Sequence, residues 1–371
     1  MECLQNWPEP IIHVQSIADS GAATVPDRYI KPISDRPEIG KSTTVLDQQS
    51  IPVINLAAFS ETGDIDHEHA CNATLMQEIS VACRDWGFFQ VVNHGVSPEL
   101  MKRTRETWRA FFHLPMEQKH KYVNTPKTYE GYGSRLGVEQ GAILDWGDYY
   151  FLNFLPWSLK NQDKWPCLPE TLRETVEEYG REVVELCEKV IKVVSRSLGL
   201  EGDYVKRVFG GEGVGVSMRA NYYPRCPQPE LTLGLSAHSD PGGITVLLAD
   251  DRVQGLQVRK DGAWVTVQPL SDAFIVNIGD QIQVVSNAIY KSVEHRVMVN
   301  SEEERVSVAI FYNPRGDVLI GPAQELVSPA RAVCCMPMTY NEHRLDIRKR
   351  GPRGKAQVDT LKSSSTPPNL Y

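Results

Sequence analysis

The stretch Gly234-Leu-Ser-Ala-His238-Ser-Asp240-Pro-Gly-Gly243 carries a histidine and a carboxylate two residues apart. In an extended chain, residues at positions i and i+2 point to the same face. His238 and Asp240 could then bind one metal ion without a bend in the backbone. A third candidate ligand, His295, lies in Ser292-Val-Glu-His295-Arg-Val297, which also has the pattern of a strand. We predict that these three side chains form one metal site.

Two histidines and one carboxylate are the ligand set of non-haem iron(II) oxygenases, which leaves coordination positions open for substrate and dioxygen. A zinc hydrolase could use the same ligands. The next strand, however, places Arg305 and Ser307 on one face, and a hydrolase has no need for them there. A ligand with a distant carboxylate does need them, because arginine gives a charged bidentate clamp and serine adds a donor.

A less specific interpretation must be weighed against the metal site. A single His-x-Asp pair is common on protein surfaces, and a histidine in a valine-rich strand such as His295 is more often a hydrogen-bonded core residue than a ligand. The order of the set favours the metal site. His-x-Asp is followed by His and then by Arg-x-Ser, each on a predicted strand.

With this motif, the chain resembles the plant 2-oxoglutarate- and iron(II)-dependent oxygenases over about residues 7 to 352. Within that family it is most similar to the jasmonate-induced oxygenases, which hydroxylate jasmonic acid. The stretches that carry this closer resemblance are Trp7-Pro-Glu-Pro10, Pro26-Asp-Arg-Tyr-Ile-Lys-Pro32, Tyr129-Glu-Gly-Tyr-Gly-Ser-Arg-Leu-Gly-Val138, Leu144-Asp-Trp146 and Asp148-Tyr-Tyr-Phe151.

The resemblance implies a reaction, its cofactors and its product. Fe(II), 2-oxoglutarate and dioxygen are expected, with ascorbate as the reductant. The expected reaction is hydroxylation of jasmonic acid to 12-hydroxyjasmonate, which would lower active jasmonate and damp jasmonate signalling and defence. The distant carboxylate of 2-oxoglutarate is expected on Arg305 and Ser307.

The strand from Val216 to Tyr223 has one apolar face and one polar face. The polar face carries Ser217, Arg219, Asn221 and Tyr223. From the pattern alone, this face either meets solvent or lines a polar cavity, with equal weight. The resemblance implies the cavity, in which Tyr223 hydrogen-bonds 2-oxoglutarate and Asn221 lies nearby.

Near the C-terminus, Tyr340, Arg344 and Arg348 share one face of a predicted helix. Two arginines one turn apart repel each other unless an anion lies close. On spacing alone, a solvated basic face is favoured over a binding site. The resemblance implies that Arg219, Arg344 and Arg348 bind the carboxylate of jasmonic acid.

The fold class follows from a series of short strands with turns, which is typical of a sandwich or jelly roll. We predict a mainly β protein with flanking helices, and the resemblance implies a double-stranded β-helix with the iron at its open mouth. The predicted strands of this core are 216–223, 244–249, 255–260, 263–268, 273–278, 281–286, 292–299 and 305–312.

Outside this core, the pattern predicts strands at 51–56 and 88–92. Helices are expected from residue 70 to Trp86, after the capping residue Ser97, and over roughly 170–198. Thr339-Tyr-Asn-Glu342 is a capping box that begins a C-terminal helix. The segment 116–157 is predicted to be loop-rich and aromatic, and its aromatic residues, Tyr129 and Phe151 among them, form a packed covering layer, a pocket wall or both. The predicted regions are an N-terminal arm (1–50), a mixed helix and strand region (51–200), the β-core (211–316), and the C-terminal helix with a disordered tail (317–371).

Composition limits the partners. The 371 residues carry a net charge of −8, which argues against nucleic acid or an anionic membrane surface. No apolar stretch is long enough to span a bilayer, and the N-terminus lacks the pattern of a secretory signal. The eight cysteines show no metal or disulfide spacing. A cytoplasmic protein is therefore expected, and the oligomeric state is left open.

Two other functions stay open at this point. A sister oxygenase could act on a flavonoid, but a flavonoid lacks a carboxylate and needs no cluster of arginines. A non-catalytic metal-binding β-barrel would not consume 2-oxoglutarate, and it would have no use for Arg305 and Ser307. Incubation with candidate acids and flavonoids separates the three hypotheses.

Overall fold

A computed structural model describes residues 7–10, 12–37, 50–59, 67–351 and 354. The helices are α1 (Val14–Asp19), α2 (His67–Asp85), α3 (Pro98–Phe112), α4 (Met116–His120), α5 (Leu172–Ser197), α6 (Tyr204–Val208), α7 (Asp280–Val285) and α8 (Tyr340–Arg350). The strands are β1 (Val53–Asn55), β2 (Phe88–Val92), β3 (Gly131–Gly133), β4 (Asp148–Leu155), β5 (Gly215–Tyr223), β6 (Leu235–His238), β7 (Ile244–Leu248), β8 (Leu256–Lys260), β9 (Ala263–Thr266), β10 (Phe274–Ile278), β11 (His295–Val297), β12 (Arg305–Asn313), β13 (Leu319–Ile320) and β14 (Met338–Thr339).

The strands form a large sheet, a smaller sheet and a short ladder. The large sheet has eight strands in the order β1-β2-β10-β7-β12-β5-β4-β3. The smaller sheet has the order β6-β11-β8-β9, and β13 pairs with β14. The predicted mainly β fold with flanking helices is confirmed.

The main hydrophobic core lies between the large sheet and the helices α2, α3 and α5. Helix α5 is the longest, and its buried positions recur at helical spacing, as the sequence predicts. Trp108 of α3 and Tyr150 of β4 are completely buried in the same cluster. This layer of helices packs against the large sheet and supports the strands that carry the site.

The N-terminal arm packs on the body in its described part. Val14, Val25 and Tyr29 are buried together with Trp146. The backbone N–H groups of Val14 and Gln15 donate to the carboxylate of Asp148. The predicted disorder of the tail falls on residues outside those described, and the division of the chain into four regions stays a prediction.

The predicted strand at 281–286 is wrong, because this segment is the helix α7. Every residue of α7 is buried, so its apolar pattern does not distinguish a buried strand from a buried helix. The strand predicted at 292–299 is also too long, since only His295–Val297 pairs in the sheet.

The region 116–157 is more regular than predicted. It contains α4, β3 and β4, and the eight-residue β4 pairs along β5 in the large sheet. A second correction concerns Ser97, which stands at the N-cap of α3 but makes no side-chain capping hydrogen bond. The first strand, β1, lies at the edge of the large sheet and, among the described strands, pairs only with β2, a position that suits the adjacent Pro52.

In the part of the chain that the structure describes, no helix combines the length and the apolar character needed to cross a membrane.

Candidate active site

The structure brings the three predicted metal ligands together at the end of the smaller sheet. His238 is the last residue of β6, and it lies opposite His295, the first residue of β11. Asp240 Oδ1 lies 3.6 Å from Nε2 of His238 and 3.7 Å from Nε2 of His295. One candidate ligand atom from each side chain falls within a 4.8 Å span, which suits a single ion.

One detail of the sequence interpretation needs correction. Asp240 does not lie on a strand, because β6 ends at His238. Its carboxylate nevertheless faces the two imidazoles, and the backbone carbonyl of Asp240 accepts a hydrogen bond from the N–H of Asp280 in α7. The start of α7 therefore holds the turn that presents this carboxylate.

The hydrogen bonds of the two imidazoles orient them toward the ion. Nδ1 of His238 lies 2.8 Å from the carbonyl oxygen of Ser236, and Nδ1 of His295 lies 3.2 Å from that of Val293. A carbonyl oxygen only accepts, so both Nδ1 atoms carry the proton. Each Nε2 then presents a lone pair, which is the arrangement that metal-binding histidines use.

The protonation states of this group also suit metal binding. Burial and the neighbouring His295 lower the pKa of His238 to about 4, so its imidazole is neutral near pH 7. Burial alone would raise the pKa of Asp240. The adjacent imidazoles and hydrogen bonds from Asn277 and Thr245 outweigh burial, and the pKa of Asp240 is lowered. A neutral imidazole and a carboxylate are the forms that bind a metal.

The predicted co-substrate residues lie beside this group on two paired strands. In the register of β12 and β5, Arg305 is opposite Tyr223 and Ser307 is opposite Asn221. All four side chains are buried and line the same cavity as the metal triad. The sequence left the polar face of β5 undecided between solvent and a cavity, and the structure places that face in the cavity.

Arg305 has the features of an anion-binding residue. Its guanidinium is buried, and its Nε has no hydrogen-bond partner within the described residues. Nη1 lies 3.4 Å from Oγ of Ser307, so the two donors converge. Burial lowers the pKa of Arg305. A buried cation with an unused N–H group fits the distant carboxylate of 2-oxoglutarate.

The three arginines predicted to bind substrate also meet in this cavity. Arg219 comes from β5, and Arg344 and Arg348 come from α8. We call these three residues the arginine cluster. Burial and the neighbouring Arg344 lower the pKa of Arg348 to about 10, which still leaves it cationic near pH 7. Arg344 and Arg348 are half-buried and line the cavity, so they do not form the fully solvated basic face that spacing alone favoured.

The position of α8 depends on local features that the sequence predicted. Thr339 and Glu342 form the reciprocal capping box, with the N–H of Thr339 donating to the Glu342 carboxylate at 3.0 Å. Thr339 also ends β14, which pairs with β13. At the other end, a Cβ atom on Gly137 would lie 2.8 Å from the Cα of Gly351. The helix can pack this closely only because residue 137 is glycine.

One aromatic residue of the cavity, Phe311, was not singled out in the sequence, whereas Tyr129 and Phe151 belong to the aromatic segment that was interpreted as a covering layer, a pocket wall or both. Tyr129, Phe151 and Phe311 line the cavity, which has a volume of about 230 Å³. Phe311 could have been found, because it follows Arg305 and Ser307 at even spacing on the same strand. Phe151 lies in β4 and Tyr129 in the loop before β3. The sequence pattern predicted neither β3 nor β4.

A buried histidine and aspartate pair was also missed. Nε2 of His343 lies 2.8 Å from Oδ2 of Asp280, and both side chains are buried. His343 belongs to α8, while Asp280 begins α7 and donates its N–H to Asp240. The pair joins the helix of the arginine cluster to the turn of the metal triad. No sequence pattern marked it, because the two residues lie far apart in the chain.

The apolar and charged residues of the lining define what the cavity can bind. Phe151, Phe311 and Leu247 are among its apolar lining residues. The metal triad and Arg305 belong to the same lining, and the arginine cluster adds positive charge to it. A small molecule with an apolar body and one anionic group fits this distribution of charge.

Two family models match the chain. The 2OG-Fe(II) oxygenase superfamily model matches residues 215–314. The model described as non-haem dioxygenase in morphine synthesis N-terminal matches residues 51–168. The first match contains the metal triad and Arg305, and the second covers β1 to β4 with α2, α3 and α4.

Individual relatives match over almost the whole chain. The chain is 56% identical to jasmonate-induced oxygenase 1 of Arabidopsis thaliana over 96% of this chain and 87% of that protein. It is 57% identical to jasmonate-induced oxygenase 2 of the same plant over 96% and 94%. A crystal structure of JOX2 in complex with 2OG, Fe and JA superposes with a TM-score of 0.88 at 55% identity, covering 96% of this chain and 99% of that one.

Proposed function

Because the chain belongs to the 2OG-Fe(II) oxygenase superfamily, which uses Fe(II) and 2-oxoglutarate, we propose that it hydroxylates jasmonic acid. The observation that carries the proposal is the arginine cluster, which lines the same largely apolar cavity as the metal triad. Its positive charge matches the single carboxylate of jasmonic acid. The similarity to jasmonate-induced oxygenases and to the JOX2 complex supports the same substrate.

The metal triad and the donors of β12 and β5 have separate roles in this proposal. His238, Asp240 and His295 hold the iron through two neutral imidazoles and one carboxylate. Bound iron, with 2-oxoglutarate and dioxygen, supplies the oxidation of an unactivated C–H group while 2-oxoglutarate loses carbon dioxide and becomes succinate. Arg305 and Ser307 bind the distant carboxylate of 2-oxoglutarate and so set its direction of approach.

The remaining polar residues complete the binding of the two organic molecules. Tyr223 lies beside Arg305 and donates a hydrogen bond to 2-oxoglutarate, with Asn221 adjacent. Arg219, Arg344 and Arg348 bind the carboxylate of jasmonic acid. Positioning of this kind lowers the barrier because the reacting carbon is held near the site of oxidation before reaction.

The product follows from which end of the substrate is held. With the carboxylate on the arginine cluster, the far end of the pentenyl side chain is directed to the metal triad, which gives 12-hydroxyjasmonate. The apolar walls exclude water from the reacting carbon. In the cytoplasm, this reaction lowers active jasmonate and damps jasmonate signalling and defence.

The test is incubation of the purified protein with Fe(II), ascorbate, 2-oxoglutarate and a panel of acids, esters and flavonoids. We expect a mass increase of one oxygen atom on jasmonic acid and one succinate for each product molecule. Jasmonic acid should be preferred to its methyl ester. Equal turnover of acid and ester, or turnover of a flavonoid alone, would contradict the proposal and favour the flavonoid oxygenase.

A further inference from the structure

Each arginine of the arginine cluster lies over the ring of a tyrosine. The guanidinium carbon is close to the ring centroid in every case, at a distance at which a cation is attracted to the ring face. The pairs are Arg219 over Tyr149 at 4.2 Å, Arg348 over Tyr129 at 4.6 Å, and Arg344 over Tyr340 at 5.9 Å.

The rings matter because the cluster has no protein counter-ion among the residues that the structure describes. None of the ion pairs formed among the described residues includes one of these three arginines. A carboxylate partner would hold an arginine in place, but the substrate would then have to displace it. A ring face attracts the cation and leaves the N–H groups at the edge of the guanidinium available for an anion.

Tyr129 is the most constrained of these rings. Its backbone has φ +59°, in the left-handed region that a bulky residue rarely adopts. Nη2 of Arg348 also lies 3.5 Å from the carbonyl oxygen of Thr128, so the same turn contacts the guanidinium twice. Strained backbone of this kind persists where the surrounding structure holds it, often at a binding site.

The N-terminal arm also contacts this ring. The indole of Trp7 meets Tyr129 edge to face, with centroids 5.3 Å apart and an interplanar angle of 86°. Glu9, two residues later, binds Arg28 and Arg135. Arg135 in turn donates to the carbonyl of Gly137 at 2.9 Å. The arm is thus attached both to the Tyr129 ring, before β3, and to the segment that follows β3.

We propose that Tyr129 is a positioning residue for the substrate carboxylate. Its ring fixes the guanidinium of Arg348, and Trp7 fixes the ring. This inference rests on the proposed function and extends it, since it makes the N-terminal arm a determinant of affinity for carboxylate substrates. Tyr129 acts through Arg348 rather than through direct contact with the apolar body of the substrate.

The test compares Tyr129→Leu with Tyr129→Phe, which keeps the ring face. We expect Tyr129→Leu to raise the KM for jasmonic acid by about 2- to 30-fold, the range of one cation–π contact. Tyr129→Phe should stay close to the native value, and the KM for 2-oxoglutarate should not change in either variant. Trp7→Leu leaves Tyr129 in place and should give a smaller rise, which keeps the test valid if Tyr129→Leu fails to fold.

A double-mutant cycle separates action through Arg348 from direct contact with the substrate. In an Arg348→Ala background, Tyr129→Leu should have no further effect on the KM for jasmonic acid. The methyl ester, which lacks the charge, should be insensitive to Tyr129→Leu in the native background. The proposal would be overturned if Tyr129→Leu raised the KM equally for the acid and the ester. It would also be overturned if Tyr129→Leu raised the KM for jasmonic acid by the same factor in the Arg348→Ala background.

Titration calorimetry measures the affinity of jasmonic acid for the protein loaded with Mn(II) and 2-oxoglutarate. This affinity reports on the arginine cluster without turnover. We expect Tyr129→Leu to weaken this binding and Tyr129→Phe to preserve it. Equal affinity of native and Tyr129→Leu protein would overturn the positioning role. A native protein that binds jasmonic acid but does not hydroxylate it would instead contradict the proposed function and leave this inference supported by the binding series.

Discussion

The metal triad and the arginine cluster occupy one cavity but are stabilised in different ways. The triad lies at the ends of β6 and β11, and Asp240 receives hydrogen bonds from Asn277 and Thr245. The arginine cluster is drawn from β5 and α8, and tyrosine rings take the place of counter-ions. The first arrangement is complete apart from its ion, whereas the second needs an anion to offset its charge.

This difference separates the chemistry of the site from its selectivity. Changes in the triad should remove turnover of every substrate, because all substrates use the same iron. Changes in the arginine cluster should affect only substrates that carry a carboxylate. The following predictions test that separation, from the largest expected effect to the smallest.

The largest effect is expected for Asp240→Ala. Loss of one of three ligands should lower turnover by more than about 100-fold, since even outer partners of a metal ligand contribute about 10- to 100-fold. His238→Ala and His295→Ala should behave alike. Succinate formation and bound iron measure the effect, and circular dichroism checks that the fold is retained.

The exposed residue Asp163 provides a matched control for the triad variants. Asp163→Ala also replaces an aspartate by alanine, but Asp163 does not line the cavity. The turnover of this variant should equal that of the native protein. Unchanged turnover in Asp240→Ala would show that the triad does not hold the iron.

The next effect is expected for Arg344→Ala. Loss of a charge-assisted hydrogen bond should raise the KM for jasmonic acid by about ten- to a hundredfold. The variant should no longer prefer the acid to its methyl ester, and the KM for 2-oxoglutarate should change little. Lys349→Ala, an exposed residue on the same helix, is the control and should be silent. An equal rise in the KM for the acid and the ester would contradict the role of Arg344 in binding the carboxylate.

A smaller effect is expected for Arg305→Lys, which keeps the charge but loses the planar fork. The KM for 2-oxoglutarate should rise on the order of tenfold. The KM for jasmonic acid should stay near its native value, because the arginine cluster is unchanged. Initial rates at varied 2-oxoglutarate measure the effect, and an unchanged KM would show that the distant carboxylate binds elsewhere.

The smallest effect is expected for Glu9→Gln, which loosens the N-terminal arm. Hydrogen bonds from Arg28 and Arg135 lower the pKa of Glu9 to about 2. A lowered carboxyl pKa stabilises the folded protein fully above the ordinary value of 4.5, and this contribution disappears as the pH falls toward about 2. An ion pair near the surface contributes about 1 kcal/mol or less.

Thermal unfolding at several pH values measures this last difference. Above pH 4.5, the free energy of unfolding of the native protein should exceed that of Glu9→Gln by a small constant amount. This difference should shrink at lower pH. A difference that grew on acidification would contradict the assigned ion pairs. At neutral pH the variant should retain its iron, since Glu9 contacts Arg28, Arg135 and Gly141 and not the triad.

Much of the fold and site could be predicted from local patterns. Arg305 and Ser307 share a face because strand side chains alternate, and the same rule groups Arg219, Asn221 and Tyr223. The capping box of α8 involves residues only three positions apart. Such features depend on backbone geometry within a few residues, so they hold wherever the segment lies in the fold.

The errors occurred where local pattern carries no information. The apolar residues of α7 are buried on all sides, so neither the strand period nor the helix period appears in them. The strand β4 was hidden in an aromatic segment, because its aromatic side chains suit a strand and a covering loop equally well.

The sequence by itself determined the ligand types, their spacing along the chain and the family of the chain. Only the tertiary structure decided which polar face lines the cavity and which residues meet across the chain. The contacts of Tyr129 with Arg348, and of Asp280 with His343, join segments that are distant in sequence. The physical reason is that alternation and capping are set by neighbouring dihedral angles, whereas these contacts depend on how whole strands and helices pack.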